Sequence, residues 1–223
     1  MQPTTAREII LSLDDASLGG ELNVPHNALG LVLFAHGSGS SRHSPRNQFV
    51  ARVLRDAGVG TLLFDLLTDE EEQTDSRTRQ LRFDIPFLAR RLVGATRWIL
   101  DEATTRGLHL GYFGASTGAA AALVAAAKLR ESIRAVVSRG GRPDLAGSAL
   151  EDVRAPTLLL VGAHDTEVLA LNEGAYSRLR CPKEFRIISG ATHLFEEPGT
   201  LDQVARMASE WFAGHLESRE AEG

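Results

Sequence analysis

The chain has 223 residues, 43% of them apolar and 24% charged, with a formal net charge of −5. That balance belongs to a globular chain and excludes a disordered one, and the acidic surplus lacks the basic footprint of a nucleic-acid binder. A single cysteine, Cys181, excludes an internal disulfide, and the longest aliphatic run, Ala119–Ala127, is about half a membrane span.

In chain order, β-rich runs at Arg7–Leu13 and Leu18–Val24 flank the turn-like Asp14-Asp15-Ala16-Ser17 and predict an antiparallel pair. Gly30–Ala35 is a third strand. Ser44-Pro45, an N-cap followed by proline at the first helical position, opens a helix over Arg46–Ala57 that Gly58 ends. Gly60–Phe64 is a fourth strand. The polar connection Leu66–Asp84 reads as a loop, with the acidic run Asp69–Glu72 as a solvated stretch of it. Ile85–Thr105 carries apolar residues at 88, 92, 95, 99 and 103, close to helical spacing. Strands then follow at Leu108–Phe113, Ile133–Ser138, Thr157–Val161 and Phe185–Ile188, with helices at Thr117–Leu129, Thr166–Leu179 and Leu201–Leu216. The last six strands are continuous apolar runs, as parallel strands buried on both faces should be.

The expectation is an α/β fold: an eight-stranded, mostly parallel sheet flanked by helices. It forms one domain over residues 1–223, with Glu217–Gly223 as a frayed tail. Met1–Ile10 shows no basic stretch leading into an apolar one, so no secretory signal is expected and the cytoplasm is the default location.

In open α/β sheets the site lies at the carboxyl ends of the strands. After the fifth strand stands Gly114-Ala115-Ser116-Thr117-Gly118, a G-x-S-x-G between a strand and an Ala-rich helix. That context suits a sharp turn that holds a nucleophilic serine out over the sheet edge. The two glycines leave room for the backbone, and the helix N-terminus aims free N–H groups at Ser116. A serine hydroxyl needs a base, and the base needs an orienting carboxylate. His193, in the loop after the last strand, is the candidate base. His215 lies in the final helix, and His164 directly precedes a better-placed acid. That acid is Asp165, which ends the loop after the seventh strand and could also cap the next helix; Asp144 is its main competitor, and Glu167 is too far into the next helix.

Two N–H donors for a tetrahedral oxyanion are expected from Thr117, next to the nucleophile, and from Ser38 in His36-Gly37-Ser38-Gly39. The His36 imidazole would pin that loop. Arg42 and Arg46, and Arg139 and Arg142, follow strands at the same edge. They would either pair with carboxylates such as Asp65, Asp69–Glu72 or Asp144, or bind an anionic substrate arm. Arg139 is the first choice for that role and Arg42 the second. There is no phosphate-loop motif and no H-E-x-x-H zinc motif, and His36 and His43 do not have convincing metal spacing.

Together, Gly114-Ala115-Ser116-Thr117-Gly118, His36-Gly37-Ser38-Gly39, Gly162-Ala163-His164-Asp165 and Ala191-Thr192-His193-Leu194-Phe195 resemble an α/β-hydrolase of the dienelactone-hydrolase-like branch, over nearly the whole of Arg7–Leu216. Dienelactone hydrolase itself uses a cysteine nucleophile. Ser116 in its place favours a carboxylesterase-like relative. The chain is also similar to hydrolase domains attached to phosphoribosyltransferase-like domains, and no such second domain is read in these 223 residues.

The resemblance implies an acyl-enzyme hydrolase of small-acid esters, with no cofactor and with a small molecule as its partner rather than nucleic acid or membrane. A thioesterase or lactonase, including a dienelactone-type one, is the alternative within hydrolases. A ligand-binding scaffold without turnover is the alternative outside them. Only Arg139–Pro156 separate the sixth strand from the seventh, too little for a cap domain, so short acyl groups are expected. The oligomeric state stays open.

Overall fold

The computed structural model describes residues 6–217. The start of the Met1–Ile10 segment and the expected frayed tail beyond Glu217 lie outside the described residues. Eight strands form one sheet in the order β1-β2-β4-β3-β5-β6-β7-β8. They are β1 (Arg7–Ser12), β2 (Ser17–Asn23), β3 (Leu31–Ala35), β4 (Gly60–Phe64), β5 (Leu110–Ala115), β6 (Ile133–Arg139), β7 (Thr157–Gly162) and β8 (Lys183–Ile188). β2 runs antiparallel to β1 and β4, and every other pairing is parallel. The eight expected strands are therefore all present, with β5 starting two residues later than expected.

The continuous apolar runs are explained by two cores, one on each face of the sheet. On β3, Leu31, Leu33 and Ala35 point into the first core, while Val32 and Phe34 point into the second. The helices α3 (Ile85–Asp101) and α4 (Thr117–Leu129) cover the first face. The helices α1 (Pro45–Asp56) and α6 (Thr200–Leu216) cover the second. In α4, Ala119, Ala120, Ala121, Ala122, Leu123, Ala125 and Ala126 are all fully buried. All but Leu123 carry only a methyl group, so α4 packs tightly on the sheet and its first turn sits close behind β5. The Tyr112 hydroxyl, buried in the first core, is satisfied by Thr96 Oγ1 at 2.6 Å.

One expectation fails. The Leu66–Asp84 connection contains a helix, α2 (Asp69–Thr78), and a 3-10 turn over Leu81–Phe83. The acidic run is the first turn of α2. Thr68 and Glu71 form a reciprocal capping box there, and four carboxylates face the positive end of the helix dipole. The anchor is Asp75. It is fully buried and accepts from the Leu81 N–H at 2.7 Å, the Arg82 N–H at 3.2 Å and Arg82 Nε at 2.5 Å. Burial works to raise the Asp75 carboxyl, but the Arg82 and Leu81 hydrogen bonds outweigh it and hold the group below the usual carboxylate range. α3 also stops at Asp101, earlier than the expected Thr105.

After β6 the chain makes 3-10 turns over Pro143–Asp152, broken at Gly147 with φ 57°. Helix α5 (Thr166–Arg178) follows β7. Among the described residues there is no cap domain over the strand ends, and no helix is long and apolar enough to cross a membrane.

Candidate active site

Ser116 stands between β5 and α4 with φ 50° and ψ −124°. The turn around it leaves no spare volume. A Cβ on Gly118 would run into the Ala35 carbonyl oxygen and lie 2.5 Å from that of His36, and one on Gly114 would lie 2.8 Å from the Ala119 nitrogen. The Ser116 N–H donates to the Arg139 carbonyl at 3.3 Å, and its own carbonyl accepts from the N–H groups of Ala119 at 3.1 Å and Arg142 at 3.0 Å. The serine is thus tied by main-chain bonds on both sides of its Cα, to the end of β6 through Arg139 and to the segment just after it through Arg142.

Asp165 and His193 are joined across 28 residues by a 2.6 Å bond from His193 Nδ1 to Asp165 Oδ2. With the carboxylate accepting from Nδ1–H, the ring presents Nε2 as its free acceptor. Asp165 occupies the N-cap position of α5, yet its side chain makes no capping bond; the carboxylate goes to the histidine instead. The His193 loop packs against Gly140, the residue after the Arg139 whose carbonyl accepts from the Ser116 N–H. A Cβ on Gly140 would lie 3.2 Å from the His193 carbonyl oxygen and 3.6 Å from its Nδ1. Glu197 braces the loop by accepting from Thr192 Oγ1 at 2.5 Å and the Thr192 N–H at 3.1 Å. The bond from the Thr192 side chain holds the Glu197 carboxyl below its ordinary range. Of the competitors, His215 Nδ1 binds the Trp211 carbonyl within α6, and Asp144 pairs with Arg142 at 2.8 Å.

On the other side, Gly37 lies against Ser116, its Cβ direction meeting the serine Cβ at 3.0 Å. The Gly37 carbonyl accepts from His36 Nδ1 at 3.0 Å and from the Ser40 N–H at 3.2 Å. A trans peptide sets its N–H opposite its C=O, so the Ser38 N–H faces away from those two donors. His36 Nε2 in turn accepts from the Leu66 N–H at 3.1 Å. Burial lowers the His36 pKa, consistent with a neutral ring that donates on one side and accepts on the other. Gly37, Ser38, Gly39 and Thr117 line a cavity of about 10 Å³ together with His36, Leu66, Leu67, Leu88 and the charged residues Glu72 and Arg82.

The four arginines divide. Arg42 pairs with Asp65, and its N–H donates to the same carboxylate at 2.8 Å. Arg46 reaches Glu196 at 3.1 Å, and Arg142 takes Asp144. Arg139 is only 7% exposed and donates to Asn47 Oδ1 at 3.2 Å. It has no carboxylate partner among the described residues, and its Nε has no hydrogen-bond partner. Its guanidinium lies 5.9 Å from the centre of the Phe195 ring. Burial, with Arg46 nearby, brings its pKa down to about 10. Asp75, Gly140 and Glu197 were not singled out from the sequence. The Thr68-x-x-Glu71 spacing is the signal that could have placed α2, and with it Asp75. Among the described residues no three His, Cys, Asp or Glu side chains gather in a way that could hold a metal ion.

No family model matches the chain. Two curated proteins, from the CDC 1551 and H37Rv strains of Mycobacterium tuberculosis and both carrying the name of a phosphoribosyl transferase, are 55% identical over 214 residues. Those residues are 96% of this chain and 47% of each relative, so the chain spans about half the length of the curated relatives it matches. Among solved structures, a dienelactone hydrolase from Anabaena variabilis is 58% identical with a TM-score of 0.95, covering 96% of this chain and 99% of that one. A Pyrococcus furiosus esterase matches with a TM-score of 0.77 at 16% identity, over 96% of this chain and 92% of that one. A dienelactone hydrolase-like promiscuous phosphotriesterase from metagenomic libraries reaches 0.76 at 18%, over 96% and 99%. The last two likenesses concern the fold alone.

Proposed function

The chain belongs to the dienelactone-hydrolase-like branch of the α/β-hydrolases, and from that premise we propose that it is a serine hydrolase of carboxylesterase type, cleaving esters of small acids. The observation that carries this reading is the Asp165–His193 bond of 2.6 Å at the same sheet edge as a serine held at positive φ. Ser116 Oγ attacks the acyl carbon while His193 Nε2 takes its proton, and Asp165 steadies the imidazolium through Nδ1. The N–H groups of Ser38 and Thr117 bind the oxyanion, each contributing ~2.7–4 kcal/mol to the transition state. His193 then protonates the departing alcohol. Water, deprotonated by the same imidazole, releases the acid and restores the serine.

We place this activity in the cytoplasm, on a small-molecule ester, with neither nucleic acid nor membrane as partner. Arg139, the one of the four arginines without a carboxylate, is the proposed contact for an anionic arm of the substrate; Arg42 is engaged by Asp65 and is not carried forward. Arg139→Ala should raise KM for a carboxylate-bearing ester more than for its neutral analogue, and equal effects would leave Arg139 only a structural part.

The name of the Anabaena relative favours a second reading, opening of a lactone by the same residues. The mycobacterial name belongs to proteins of which this chain spans about half, and the strand-end residues here support acyl hydrolysis rather than phosphoribosyl transfer.

A fluorophosphonate probe should label Ser116 alone, and Ser116→Ala should lose nearly all turnover on a panel of esters, thioesters and lactones. Labelling elsewhere, or full activity in Ser116→Ala, would overturn the mechanism. A chain that takes no label and turns over nothing on the panel would point to a ligand-binding scaffold.

A further inference from the structure

Six threonines are buried among the described residues, and five of their hydroxyls are engaged. Thr61 accepts from Arg55 Nη1 at 3.2 Å. Thr96, Thr105, Thr157 and Thr200 donate to the carbonyls of Leu92, Ile99, Ala155 and Glu197 at 2.6–2.9 Å. The sixth is Thr117. It is 2% exposed, and its Oγ1 has no hydrogen-bond partner. The cause is positional. A threonine inside a helix can bond back to the carbonyl four residues earlier, as Thr96 does to Leu92. Thr117 is the first residue of α4, and four residues back lies Phe113 in β5, whose carbonyl belongs to no helical turn. A buried hydroxyl left without a partner costs about 1–3 kcal/mol, so its persistence calls for a use.

Thr117 lines a cavity of about 10 Å³ together with His36 and the Gly37–Gly39 loop, with Leu66, Leu67 and Leu88, and with the charged residues Glu72 and Arg82. That volume holds about one water-sized group. Both residues offered as oxyanion donors, Ser38 and Thr117, border it. A group seated there therefore belongs to the acyl side of the ester, within about one bond of the carbonyl carbon. The three leucines admit a carbon, Glu72 and Arg82 make the rest of the wall polar, and the Thr117 hydroxyl offers both a donor and an acceptor to an oxygen attached to that carbon.

We infer that the Thr117 side chain determines acyl specificity by hydrogen-bonding a polar atom next to the ester carbonyl, so that the preferred substrates are esters of short α-hydroxy or α-keto acids. This deepens the hydrolase reading and rests on it. The Thr117 N–H and its hydroxyl then have separate duties: the first holds the oxyanion of any ester, and the second distinguishes among acyl groups. A site built around such a bond disfavours the analogue that lacks it.

The test uses aryl esters of glycolic and propionic acid, which match in heavy atoms and differ by a hydroxyl in place of a methyl. The ratio of their kcat/KM values, each divided by its rate of hydroxide hydrolysis, is measured for three chains. Wild type should favour the glycolyl ester about tenfold, the scale of one hydrogen bond. Thr117→Val, equal in shape but without the hydroxyl, should bring the ratio close to one, and Thr117→Ser should restore it. Because the readout is a ratio, a general loss of activity in the valine variant leaves it interpretable. A wild-type ratio near one, or a ratio unmoved by Thr117→Val, would overturn the inference while leaving the hydrolase reading intact. If neither ester is turned over faster than by Ser116→Ala, both readings fall together.

Discussion

The serine and the histidine of the site are held in opposite ways. Ser116 is held by main chain: its N–H and carbonyl bond to Arg139, Arg142 and Ala119, and the glycines on either side have no room for a Cβ. His193 has its ring held by a side chain, on a loop whose main chain bonds at Ala191 and Thr192 and whose Ala191 and Phe195 are buried. Its own side chain is 39% exposed, its orienting bond goes to Asp165, and its loop is braced by the exposed contact between Thr192 and Glu197. The difference separates folding from chemistry. A change at the serine turn disturbs the packing of α4 on β5 and β3. A change confined to the His193 ring or its bond to Asp165 leaves the buried Ala191 and Phe195 of that loop in place.

The largest expected effect breaks the serine side. Gly118→Ala forces a methyl group onto two backbone carbonyls, which cannot move aside as a flexible side chain would. It should destabilise the chain by about 3 kcal/mol or more, read as a lowered denaturant midpoint or as loss of soluble protein. A variant as stable as wild type would mean that the turn has slack. Next comes the histidine side. Asp165→Asn keeps the shape and removes the charge, so the melting temperature should change little while kcat/KM falls by about 10,000-fold, the scale seen when a triad histidine is left in the wrong tautomer. Parallel loss of stability and activity would erase the distinction.

The smallest effect tests the region in between, the Gly37–Ser40 loop, which is pinned from its buried end by a side chain, as the histidine is. The His36 pKa is lowered from 6.5 by burial. Between the folded value and 6.5 the unfolded chain therefore binds more protons than the native one, and stability declines as pH falls through that interval. His36→Asn, which does not titrate, should be less stable near neutrality and lose less on going from pH 7 to 5. Equal slopes for the two chains would remove His36 as the titrating pin.

Strands and the helices behind them were legible because burial on both sheet faces writes itself as unbroken apolar runs: β4 and α4 match their expected ranges residue for residue. The same rule hid α2, whose ten residues Asp69–Thr78 include no apolar side chain. What organises that segment is a buried carboxylate meeting Arg82, a contact that carries no periodicity. The strand-end residues proposed for the site, Ser38, Ser116, Thr117, Asp165 and His193, come from motif and topology, since chain order fixes which loops share an edge. Asp65 and Asp144 could also be named as arginine partners, but not which arginine each would take. Arg42, Arg139 and Arg142 look alike in sequence, and only the packing sends Asp65 to the first and Asp144 to the last while leaving Arg139 with Asn47.

The backbone of Ser116 carries one more consequence. A non-glycine residue at φ 50° and ψ −124° is strained by about 1–3 kcal/mol, and the fold meets that cost at the residue proposed to do the chemistry. Glycine at 116 would relieve the strain and abolish the nucleophile in one step, while alanine would abolish the nucleophile and keep the strain. On the proposed mechanism, durability and turnover thus pull this position in opposite directions.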